Sequence, residues 1–435
     1  MVSRLSSLAG WALALLPCTA AAAALPSARQ QARREVFDLQ SFQFNVSDRL
    51  PRLYELLRET ELPDKPQYPG VGATKGIDLD VLKSLREQWL NEYDWEQEQE
   101  YLNSFNHYTV TIEGQVIHFL HHESEAPNAI PILLTHGWPG SFMEFLPVIE
   151  PLTQQATTAS GQNVSFHVVI PSLPGFAFSS SPPGNWSLDD TARAFNTLMT
   201  KVLGYEKYAA HGTSNGAILA FTLYDEYNTT ARAAHFPLMP FYSTTPDELA
   251  LRDITLSPLE QHIHERSMEW TDKGTGYFLM HIYRPNTIGL GLYDNPLGQL
   301  AWMGEKWITW ADPNAGTGVS LLNHNEILRS VTLTYLTNTF ISSIYTYAQD
   351  TDLPYIKGII NRAHTDAPMF VTFFRYSIGF WPESVLRLMG NLVQYRLHET
   401  GGFFAGLENV PDLVADLREI RTYWGAQGID ATVKE

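Results

Sequence analysis

The chain is 435 residues long, enough for about two or three units with sizeable cores. With 44% hydrophobic and 17% charged residues, it excludes disorder over most of its length. Its 29 basic and 47 acidic side chains give a net charge of −18 with no basic run or stripe, which argues against a nucleic-acid partner.

At the start of the chain, Arg4 precedes an apolar run over 8–24 that closes on small residues before Leu25-Pro26-Ser27. A positive start, an apolar centre and a small-residue cleavage region form the layout of a secretory signal peptide over 1–24, with an uncleaved anchor as the alternative. The run is short for a bilayer-spanning helix, and Pro17 interrupts it. Cys18, the single cysteine, falls inside it, so a cleaved chain would hold no disulfide, Cys metal ligand or Cys nucleophile. Four sequons, at Asn45, Asn163, Asn185 and Asn228, agree with a secretory route to the cell exterior or to the lumen of the endoplasmic reticulum or a vesicle. No later run is apolar for about 18 residues, so no integral membrane body is expected.

Over 36–107 the pattern is helical and aromatic, with apolar residues three and four apart at 50–57 and 79–90. A strand-rich stretch follows in 108–240, at 109–112, 116–120, 130–134 and 165–170. Continuous apolar strands separated by helical segments indicate a parallel sheet buried on both faces. Over 241–350 the helical, aromatic pattern returns, and strands resume in 351–435 at 369–373 and 392–397. The pattern predicts an α/β core, split by an inserted helical lid and preceded by a helical N-terminal region.

Two turns carry the chemistry. His136-Gly137-Trp138-Pro139-Gly140 follows a buried strand and can aim backbone N–H groups at developing negative charge, Gly137 allowing close approach. Gly212-Thr213-Ser214-Asn215-Gly216 lies between the strand-like 208–211 and the helical run from Ala217, the setting a nucleophile elbow requires. Ser214 would stand above the sheet, with the N–H groups of Asn215 and Trp138 as an oxyanion pair. His136 would help to position them.

Around these turns the sequence resembles the microsomal epoxide hydrolase family of α/β-hydrolases. The resemblance rests on the stretches 137–145, 171–180 and 401–408, on Trp89, Asp94-Trp95 and Leu102-Asn103, and on Gly276-Tyr277, 284–287 and 294–306. It covers essentially everything after the signal segment. It implies the α/β-hydrolase fold with an N-terminal meander over 36–107, a core over 108–240 and 351–435, and a lid over 241–350. It also implies an Asp nucleophile that forms an alkyl-enzyme ester, two lid tyrosines on the epoxide oxygen, and a His with an acidic partner that activates water.

Carried over by position, Tyr277 and Tyr347 match the tyrosines, whereas the Asp, His and acid positions fall on Ser214, Phe403 and Tyr376. A serine without a base is a weak nucleophile, and phenylalanine accepts no proton. The expectation is therefore a repurposed enzyme that cyclises or isomerises a hydrophobic small molecule, a secondary metabolite, without hydrolysis. Tyr277, Tyr347 and Ser214 would act on it, with Tyr376 and Phe403 as pocket walls. Alternatives are a serine hydrolase or esterase, with His211 or His398 as base, an inactive ligand-binding homologue, and residual epoxide hydrolysis. Asp294 and Glu305 read as structural lid residues. No metal-spaced cluster and no phosphate loop is present in the sequence, so no cofactor is expected.

Overall fold

The computed structural model describes residues 37–349 and 362–425. The signal segment, Cys18 and the start of the 351–435 core segment lie outside these. The described residues belong to one compact unit.

Eleven strands are present among the described residues: β1 (Gln40–Phe42), β2 (His107–Ile112), β3 (Gln115–His122), β4 (Ile130–Thr135), β5 (Ala156–Thr157), β6 (Asn163–Val164), β7 (Phe166–Pro171), β8 (Tyr208–Gly212), β9 (Ala231–Phe236), β10 (Pro368–Phe374) and β11 (Asn391–His398). β5 and β6 form a separate small pair, and the other nine make one sheet in the order β1-β2-β3-β7-β4-β8-β9-β10-β11. From β7 to β11 every neighbour is parallel. β1, β2 and β3 pair antiparallel at one edge. Glu113 and Gly114 join β2 to β3 with φ of 53° and 81°, the left-handed pair of a tight hairpin whose twist matches its strands. β4 is buried along its whole length, as a strand covered on both faces must be.

The lid runs through seven helices, Pro246–Leu251, Pro258–Glu269, Gly276–Tyr283, Pro285–Leu292, Pro296–Thr309, His324–Leu336 and Phe340–Tyr345. Three N-terminal helices, Leu50–Glu59, Leu79–Asn91 and Trp95–Asn103, pack on Pro296–Thr309 and His324–Leu336. Asp294 receives Arg52 at 3.0 Å and the Tyr335 hydroxyl at 2.8 Å, and Arg329 pairs with Glu98 at 2.6 Å. These contacts bear out Asp294 as a structural residue that ties the lid to the N-terminal helices. Among the described residues, no helix is long and apolar enough to cross a membrane.

Candidate active site

β4 and β8 lie side by side with Thr135 paired to Gly212, so the turns that leave them emerge together. Ser214 stands between β8 and the helix Asn215–Glu226 at φ 51°, ψ −126°, a conformation L-residues rarely hold. Glycines make room for it. A Cβ on Gly212 would lie 2.0 Å from the Gly216 carbonyl oxygen, and one on Gly216 would lie 2.1 Å from that of Thr135. On Gly137 it would lie 2.2 Å from the Ser214 Cβ. The Thr135 hydroxyl fastens the elbow from below, 2.9 Å from the carbonyls of His211 and Gly216.

The Ser214 hydroxyl donates to the Trp138 carbonyl at 3.4 Å, which links the two turns. Asn215 is the first residue of its helix, where backbone N–H groups have no intrahelical acceptor. Tyr277 comes from the lid helix Gly276–Tyr283 and Tyr347 from just beyond Phe340–Tyr345, their rings perpendicular with centroids 6.0 Å apart. The Tyr347 hydroxyl is buried and, among the described residues, makes no hydrogen bond of good geometry. Burial pushes its pKa up, and the nearby hydroxyls of Tyr277 and Ser214 offset part of that shift. Ser214, Asn215, Tyr277, Tyr347 and Phe403 share the wall of a cavity of about 300 Å³. Apolar and hydroxyl-bearing side chains make up most of the rest, and among the described residues no carboxylate, imidazole or cationic side chain lines it.

Residues 39–145 match the family described as epoxide hydrolase N terminus, and 130–245 match the alpha/beta hydrolase fold. The Aspergillus niger epoxide hydrolase structure is 32% identical, with a TM-score of 0.75 over 88% of this chain and 96% of that one. A Stigmatella aurantiaca relative assigned to the epoxide hydrolases is 35% identical over 80% of this chain and 76% of its own. The chain belongs to the epoxide hydrolase family. The juvenile hormone epoxide hydrolase of Bombyx mori is 27% identical over 87% of this chain and 85% of its own.

Against this family framework, the remaining expected residues divide. His136 accepts the Leu173 N–H at 3.1 Å, and burial lowers its pKa to about 4, so it braces the turn as a neutral ring. Phe403 packs on Trp310 at 5.0 Å and its N–H donates to the Trp310 carbonyl. Tyr376 is not on the cavity wall: it is half-buried against His262, with Arg266 over its ring at 5.2 Å. His211 is bonded through Nδ1 to His235 Nδ1 at 2.9 Å, its ring is packed edge-on to Phe145, and burial lowers its pKa to about 3. His398 faces Asp416 at 2.7 Å and Asp412 at 3.2 Å. Neither histidine is on the cavity wall, and the structure does not bring either to Ser214 as a base. Glu305 pairs with Lys306, whose ammonium lies 5.3 Å over the Tyr277 ring. Among the described residues, no group of His, Cys, Asp and Glu is arranged to hold a metal.

Sequence reasoning missed two buried carboxyls behind the elbow. Glu144 receives the Thr213 hydroxyl at 3.3 Å, and burial pushes its pKa up to about 8. Glu408 accepts the N–H groups of Asp312 at 2.5 Å and Phe404 at 2.8 Å, and burial raises it to about 7. Each stands within an otherwise apolar motif (137–145 and 401–408), and a carboxylate isolated in such a run was the available signal.

Proposed function

We propose that this member of the epoxide hydrolase family promotes a non-hydrolytic cyclisation or isomerisation of a hydrophobic, oxygenated small molecule of secondary metabolism. One observation carries the reading. The cavity offers the hydroxyls of Ser214, Tyr277 and Tyr347, but, among the described residues, no carboxylate to form an ester and no imidazole to activate water. The positions to which the family's nucleophile and base correspond by resemblance hold Ser214 and Phe403. In a serine hydrolase, losing the nucleophile or its His costs on the order of 10⁶ in turnover.

Phenols can still polarise an epoxide oxygen by hydrogen bonding. A hydroxyl of the substrate attacks an epoxide carbon, and the C–O bond breaks with its electron pair going to oxygen. That oxygen takes a proton from a phenol, and the proton lost by the attacking hydroxyl restores the phenol. Substrate and product are isomers, no cofactor is consumed, and an apolar cavity that folds the chain contributes through proximity.

The test incubates the full chain with a panel of hydroxy-epoxides, simple epoxides and esters in H₂¹⁸O. An unlabelled isomeric product is expected. Label in a diol would replace the reading with epoxide hydrolysis, and absence of turnover throughout would favour a ligand-binding homologue. The strained elbow at Ser214 favours a second reading, a serine esterase. Labelled acid from the esters, with Ser214 modified by a fluorophosphonate, would establish that one instead.

A further inference from the structure

The lid holds a buried cation that the proposed reaction leaves unused. Lys306, on the helix Pro296–Thr309, is 7% exposed. Its ammonium lies over the Tyr277 ring, 5.3 Å from the centroid, and 5.6 Å from that of Trp302. Burial lowers its pKa to about 8, so it is mostly protonated at neutral pH. Glu305 pairs with it but is the more exposed partner, with 23% of its side chain accessible against 9%, so water screens the carboxylate more than the ammonium. The Lys306 charge also reaches His281, on the same helix as Tyr277: after burial, it is the second cause that lowers the pKa of that imidazole to about 3. Burying an ammonium is unfavourable, and a methionine of similar length would fill the space without that cost. A methionine would not respond to charge on the ring beside it. A cation over an aromatic face is attracted to it, and the attraction grows as the ring becomes anionic.

We propose that Lys306 strengthens Tyr277 as a hydrogen-bond donor to the substrate oxygen, by stabilising the negative charge that the phenol takes on as it gives up its proton. The inference rests on Tyr277 polarising that oxygen, as in the proposed function, and adds a residue to it. No bond to Lys306 forms or breaks. Lys306 does not line the cavity, so it acts through Tyr277 and is a positioning residue.

The carbonyl stretch of a bound ketone reads donor strength without turnover. The probe is acetophenone labelled with ¹³C at its carbonyl, a neutral molecule suited to an apolar cavity, and infrared difference spectra are taken with the full chain at pH 7. In the native protein the band should lie below its position in hexane, because a preorganised donor weakens the C=O bond. Tyr277→Phe should return much of that shift, and Lys306→Met a smaller part. Lys306→Arg, which keeps the cation, should hold the band at its native position. Glu305→Gln combined with Lys306→Met leaves no unpaired carboxylate and is the second variant should the single one fail to fold. A Lys306→Met band at the native position, or an arginine variant that behaves like the methionine one, would overturn the proposal and reduce Lys306 to packing. A native band at the hexane position, one unmoved by Tyr277→Phe, or a failure of the ketone to bind would overturn the polarising role of Tyr277 as well. The first kind of failure leaves the reading of the reaction standing, so the two are distinguishable.

Discussion

The indole of Trp138 lies flat on the ring of Tyr277, with centroids 5.2 Å apart and planes 17° apart. Trp138 belongs to the turn after β4 and Tyr277 to a lid helix, so this one contact joins the lid to the backbone beside Ser214. Stacked aromatic pairs contribute about 1 kcal/mol beyond the area they bury. A double-mutant cycle with Trp138→Leu and Tyr277→Leu, followed by urea unfolding, should return a coupling of about that size. Strict additivity would show that the lid is held elsewhere.

Gly137 is a second point where the turns depend on each other. A Cβ there would lie 2.6 Å from the Ser214 Oγ and 2.7 Å from the Asn215 backbone N, and backbone at that distance cannot move cheaply. Gly137→Ala should therefore destabilise the protein by several kcal/mol or prevent soluble expression. Gly184→Ala, where a Cβ meets nothing within 4 Å, is the matched control and should stay within about 0.5 kcal/mol of the native protein. Equal thermal stability of the two variants would refute the claim that the elbow is packed to its limit.

Much of this was legible in the sequence because it depends on local chemistry. Gly-x-Ser-x-Gly after a strand announces the elbow, since only small flanking residues tolerate it, and the apolar run at 130–134 announces a strand covered on both faces. The edge strand Gln40–Phe42 was missed: three residues carry too little periodicity, and pairing to β2 across more than sixty positions holds them. Tyr376 was misplaced for a related reason. It stands only two residues beyond the end of β10, yet its half-buried ring turns toward His262 and Arg266, a direction no spacing encodes. The partners of His211 and Glu144, and the Asp312 N–H on Glu408, lie on segments remote in sequence, so this burial and pairing appear only in three dimensions.

The four sequons are not equivalent. Asn45, Asn163 and Asn185 are exposed, whereas the Asn228 Nδ2 donates to the carbonyls of Asp225 at 2.9 Å and His364 at 2.8 Å. A glycan on that nitrogen would remove one of those donors and crowd the other. Expressed through a secretory pathway, the protein should carry glycans at the first three sites and none at Asn228. Peptide mass spectrometry after enzymatic deglycosylation reads this directly, and full occupancy of Asn228 would contradict it.

Tyr347 separates function from stability. Among the described residues its buried hydroxyl makes no hydrogen bond of good geometry, only weaker contacts with the Tyr277 and Ser214 hydroxyls, so Tyr347→Phe removes a desolvated polar atom and little favourable contact. The variant should be as stable as the native protein or more so, by up to about 1 kcal/mol. Its turnover of an accepted substrate should nevertheless fall by on the order of 10²-fold, the usual cost of losing one preorganised donor. A Tyr347→Phe protein that is destabilised yet fully active would reduce the residue to packing.

Glu144 and Glu408 give the fold a pH dependence of unusual sign. Their folded pKa values, about 8 and about 7, lie above the 4.5 of an ordinary glutamate because burial disfavours the charge. Between those limits the folded protein keeps protons that the unfolded chain has released, so unfolding releases protons and stability falls as pH rises. The stabilisation is fully present below about pH 4.5 and lost by about pH 8, an effect on the order of a few kcal/mol. Glu144→Gln fixes that side chain in a neutral form able to accept from Thr213, so its urea midpoint should fall less between pH 5 and pH 8 and exceed the native one at the upper end. Glu408→Gln should behave differently. Both Glu408 oxygens accept backbone N–H groups, and an amide has one acceptor, so one buried donor is left unpaired and the variant loses stability even at low pH. Parallel pH curves for native protein and Glu144→Gln would mean that Glu144 is ionised in the folded state, with a cation or water reaching it behind the elbow.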